Sequence, residues 1–76
     1  MNYKKLTVSE YRYLNNVKKI VFEFIGSKTE EEVSEMVNDS SFFQTLIEDK
    51  EFVFHYHEKY WARYVLKEYG YEGIKL

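Results

Sequence analysis

From Phe42 to Val65 the apolar side chains of this sequence hold one helical phase. At about 100° per residue, Phe42, Phe43, Leu46, Ile47, Val53, Phe54, His57, Trp61, Tyr64 and Val65 fall within a single arc. No proline or glycine interrupts the run, and Gly70 closes it. A stripe this wide must bury against another apolar surface, so the chain is restricted to helices packed on helices. Length limits it further. A straight helix over 41–69 would measure about 43 Å, whereas a compact chain of 76 residues has a radius of gyration of only about 11 Å. Lys50 also sits mid-stripe, where a continuous buried face strands its charge. The pattern therefore predicts a kink near 48–51, or an overhang covered by a second copy of the chain. Phe52–His57 has strand propensity when read alone, but helical patterning on both sides favours helix.

The remaining elements are marked by their ends. Thr7-Val8-Ser9-Glu10 is a capping box, in which the Thr7 hydroxyl and the Glu10 carboxylate each satisfy an amide of the first turn. Tyr13, Leu14, Val17, Ile20, Val21, Phe24 and Ile25 then recur at helical spacing, with Arg12, Asn15, Asn16, Lys19 and Glu23 opposite them. Gly26 supplies a left-handed stop. The expectation is a helix over 8–25. A second capping box, Thr29 to Glu32, opens a short helix over 30–37 that carries Val33, Met36 and Val37. Asn38-Asp39-Ser40 breaks it. Ser41-Phe42-Phe43-Gln44 reads as a third box opening a helix over 41–69, and 71–76 reads as a short tail. The predicted fold is all-α: one domain over 1–76, a three-helix bundle, or a four-helix one if the last helix breaks at 48–51. The long third helix is expected to pack antiparallel to the first.

Composition removes several classes. With 45% apolar and 20% aromatic residues the chain is too hydrophobic to be disordered. It has no cysteine, hence no disulfide, thiol nucleophile or sulfur-bound zinc. No apolar run approaches a membrane span, and Met1-Asn2-Tyr3-Lys4-Lys5 does not open a signal peptide. A soluble, cytoplasmic domain is the expectation. One alanine and two arginines stand beside nine lysines and eight tyrosines, a bias towards AT-rich codons that points to a low-GC bacterium or its phages and plasmids. Part of the aromatic richness is then a codon effect.

Charge is segregated. Residues 1–28 carry six bases and two acids, 29–51 one base and eight acids, and 52–76 four bases and three acids. Either the acidic middle neutralises a neighbouring basic first helix, or Glu30, Glu31 and Glu35 form a face for a basic partner.

Candidate chemistry is sparse. Ser9, Ser27, Ser34, Ser40 and Ser41 fall where caps and turns need them, and no phosphate loop or paired-aspartate motif is present, so no enzyme is expected. Glu51, His55 and Glu58 would share a face of an unbroken helix, but alternating charges on a solvated face give the same pattern; no metal or cofactor is assigned. His57 lies at the centre of the apolar arc beside Val53, Tyr60, Trp61 and Tyr64. There it reads as a buried histidine whose protonation would loosen the packing. The 30–49 segment has the lengths of a helix-turn-helix, yet Phe42, Phe43, Gln44, Glu48 and Asp49 suit a DNA groove poorly. Lys4, Lys5, Lys18, Lys19 and Lys28 offer an alternative basic surface around the first helix. Membrane-surface binding by 8–25, through Arg12, Lys18 and Lys19, competes with the core for the same apolar stripe.

What remains is protein–protein interaction. Trp61 and Tyr64 are expected in the core, with Tyr56, Tyr60 and Tyr69 at a rim or interface. The expected function is a non-enzymatic regulator or inhibitor that binds a protein partner or a second copy as a homodimer. A nucleic-acid-binding regulator is the alternative.

Overall fold

The computed structural model describes residues 6–76, which form five α-helices and no strand; Lys4 and Lys5 lie outside the described residues. The first helix, α1 (Val8–Ile25), has the expected bounds. Glu10 Oε1 accepts from the Thr7 amide at 2.8 Å and Thr7 Oγ1 from the Glu10 amide at 3.3 Å, completing the capping box. Gly26, at φ 70°, ends the helix in the left-handed region. Helix α2 (Glu30–Asn38) opens on the Thr29–Glu32 box, whose hydrogen bonds from the Thr29 amide and hydroxyl hold the Glu32 carboxyl below its ordinary pKa.

The long third helix is in fact three: α3 (Ser41–Glu48), α4 (Lys50–Phe54) and α5 (Glu58–Glu68). The first break falls inside the predicted window. Asp49 leaves helical geometry at φ −150° and ψ 74°, and its Oδ1 accepts from the Phe52 amide to start α4. The second break, at His55–His57, departs from the predicted helix. There His57 takes extended geometry and its Nδ1 accepts from the Lys59 amide at 3.0 Å, serving as the N-cap of α5. The cap of α3 is Ser40 instead of Ser41: its hydroxyl accepts from the Phe43 amide and donates to the Val37 carbonyl at 2.6 Å. Gln44 bonds Glu48 one turn ahead of it. With both breaks in place nothing overhangs. The radius of gyration is 11.9 Å and the longest extent 33 Å, so helix length gives no reason for a second copy.

One core joins the elements. Leu14, Val17 and Val21 of α1 meet Val33 and Val37 of α2, Phe42 and Leu46 of α3, Val53 of α4, and Trp61, Ala62, Val65 and Leu66 of α5. Leu6 enters it from before the first cap, while Tyr11 stays half-exposed. Helix α5 runs parallel to α1, against the antiparallel expectation. Tyr13 bonds to Tyr56, Asn16 to Glu58, and Phe24 packs edge-on against Tyr71, so the contacts advance in the same direction along both segments. The reversal has already been made by α2, where Lys18 meets Ser34, and the two breaks after α3 let the chain re-enter beside the start of α1. At its far end α5 closes in a Schellman motif. Gly70 (φ 86°) donates to the Lys67 carbonyl and Tyr71 to that of Leu66. The predicted tail folds back, with Tyr71, Ile74 and Leu76 packed against the core.

Candidate aromatic docking surface

The corner where α4 turns into α5 is built on one backbone oxygen. Carbonyls at the end of a helix have no partner within it. The Val53 carbonyl, at the end of α4, accepts from the Trp61 indole N–H at 3.0 Å, and the Tyr13 hydroxyl lies 3.1 Å away. That hydroxyl also donates to the Tyr56 carbonyl at 2.5 Å. Burial, reinforced by the nearby Glu58 carboxylate, raises the Tyr13 pKa above the ordinary phenol value, so it stays a donor. Trp61 is thus pinned at 3% exposure beneath the corner, its ring 5.4 Å from that of Phe42.

Over this base the aromatic rings stay open. Phe52, Tyr56, Tyr60 and Tyr64 are 47, 36, 41 and 41% exposed. Tyr56 and Tyr60 stack with centroids 4.4 Å apart and planes 17° from parallel. All four contact Trp61, at centroid distances of 5.0 to 6.2 Å. Edge-to-face and stacked pairs of this kind add to area burial, so the surface is a connected sheet of rings. His55 joins its edge against Tyr56.

The residues singled out in the sequence fall in four places. Tyr56 and Tyr60 are central to this surface. Tyr69 is half-exposed but elsewhere: its hydroxyl donates to the Met36 carbonyl at 2.9 Å, tying the end of α5 to α2. Burial and the Asp39 and Glu68 carboxylates raise its pKa. Glu30 and Glu31 line an open groove of about 630 Å³ between α1 and α2, with Lys18, Lys19 and Glu23. Among the described residues neither glutamate forms an ion pair, and Lys18 donates to Ser34, its pKa lowered by burial. Glu35 is exposed on α2.

Two expectations are overturned here. His57 is not buried; its side chain is 70% exposed, because it caps α5 instead of continuing the apolar arc. Tyr64 is not in the core, since the second break rotates α5 so that Trp61, Ala62, Val65 and Leu66 face inward. The sequence did carry a signal for the surface that periodicity over one helix hid. Phe52, Tyr56, Tyr60 and Tyr64 recur every fourth residue. The other chemistries leave distinct traces. His55 lies in the turn between α4 and α5, so Glu51, His55 and Glu58 no longer share one helix face, and among the described residues no group of three or more potential ligands is placed to hold a metal. In the 30–49 segment, Phe42 and Leu46 are in the core and Gln44 and Glu48 face outward. The apolar stripe of α1 is used internally, and no described helix is long and apolar enough to cross a membrane. No protein-family model matches the chain, and neither does any curated protein or solved structure.

Proposed function

We propose that this chain is a non-enzymatic interaction module, a small regulator or inhibitor that docks a protein partner on the Phe52–Tyr56–Tyr60–Tyr64 surface. The observation that carries the reading is the combination of open rings and a fixed base. Four half-exposed aromatic residues converge on one buried, hydrogen-bonded tryptophan. Aromatic side chains held this way bury much area on binding and lose little rotamer freedom, which is why tyrosine and tryptophan dominate interface hot spots. A cysteine-free composition suits work in the cytoplasm.

Photo-crosslinking in the cells that express the chain tests it. A benzophenone side chain at position 60 is expected to give discrete adducts, whereas the same group at Gln44, exposed on α3, gives none. No adduct from position 60, or equal labelling from both, overturns the reading.

A further inference from the structure

Both carboxylates of α5 are engaged by neighbouring helices, although Glu68 stays exposed. Glu58 accepts from the Asn16 side chain at 2.9 Å, on α1. Glu68 accepts from the Ser41 amide at 3.0 Å and from the Ser41 hydroxyl, at the start of α3. What is left is Lys59, Arg63 and Lys67, spaced i, i+4, i+8, hence in one row along the helix. Tyr60 and Tyr64 stand one position further round, so the basic row borders the aromatic surface along its length. Helix stability does not account for the row. Lys67 is favoured in the last turn, but Lys59 sits in the first, where the helix dipole penalises a cation.

Resting on the docking surface proposed above, we infer that its partner is an acidic, apolar-studded protein segment. Its carboxylates would meet Lys59, Arg63 and Lys67 while its apolar side chains lie on Tyr56, Tyr60 and Tyr64. A protein partner is favoured over single-stranded nucleic acid by the rest of the chain. The formal net charge is −2, and 29–51 holds eight acids against one base, a field that opposes an extended phosphate backbone.

Fluorescence anisotropy with three labelled probes decides it: an alternating glutamate–leucine peptide, its lysine–leucine counterpart, and an oligothymidylate. The acidic peptide is expected to bind the intact chain and the basic one not to. Replacing Lys59→Gln, Arg63→Gln and Lys67→Gln together should weaken the acidic peptide about tenfold, and physiological salt should weaken it in the same sense. Circular dichroism checks that each variant is folded. Binding of the basic peptide as tight as the acidic one, tighter binding of oligothymidylate, or no binding of the acidic peptide overturns the inference. The two readings fail differently. If the triple variant binds normally and Tyr60→Ala does not, the acidic partner is wrong and the aromatic surface stands. If neither substitution changes binding and position 60 yields no adducts in cells, both fall.

Discussion

The interior shared by α1 and α5 and the corner between α4 and α5 are held by different physics. In the first, Val17, Val21, Val65 and Leu66 are fully buried and offer no polar atom. Their positions are fixed by volume alone, since close-packed aliphatic groups lose contact energy wherever a void opens. In the second, Trp61, Tyr13 and Tyr56 are fixed by direction: an indole N–H and a phenol O–H aim at the Val53 and Tyr56 carbonyls. A region held by direction can leave ring faces open without losing its shape. A region held by volume cannot. Stability should therefore reside in the aliphatic interior and recognition at the corner.

The sharpest way to break the contrast is Leu66→Ala. Truncating a fully buried leucine should cost about 3 kcal/mol, which in a domain of this size lowers Tm on the order of 15 °C. Thermal and urea melts read it, and a loss under about 1 kcal/mol would mean the interior is loosely packed. Next comes Tyr13→Phe, which keeps the ring and removes the donor, at a cost of about 1 kcal/mol at neutral pH. Its pH dependence sharpens the point. Burial raises the Tyr13 pKa, so the folded chain holds that proton more tightly than the unfolded chain does. The resulting stability is complete below about pH 10 and is lost as pH rises through the folded value. Tyr69 contributes in the same sense. Tyr13→Phe should melt with a shallower alkaline decline than the parent; an identical decline would exclude Tyr13 as its source. The smallest effect is expected from Tyr60→Ala, which loses a stacked but half-exposed ring, about 0.5–1 kcal/mol. A loss as large as that of Leu66→Ala would show that the corner is core.

Helices α1 and α2 were legible because their ends are written locally. Thr7–Glu10, Thr29–Glu32 and Gly26 specify caps by side-chain chemistry within a few residues. The kink at Asp49 was legible from length, since no helix over 41–69 fits a chain of this size. The break at His55–His57 was not. Its cap is a histidine nitrogen, outside the usual serine, threonine, aspartate and asparagine set. Its Val53 carbonyl is met by the Trp61 indole and its Tyr56 carbonyl by Tyr13, 43 residues away in sequence. The apolar arc stays in phase across the break, so periodicity gives no warning. That one miss carried three others: His57 and Tyr64 in the core, and α5 antiparallel to α1. Tyr56 and Tyr60, expected at a rim or interface, are exposed, whereas the engagement of the α5 carboxylates depends on Asn16 and Ser41 and has no local signature.

Trp61 is the chain's single tryptophan, and it lies at the junction of the corner, with five aromatic rings within 6.2 Å. The molecule therefore carries its own optical probe. Indole emission will respond to whatever seats on the tyrosines above it as well as to denaturation, so occupancy and unfolding can be followed in unlabelled material at one excitation wavelength.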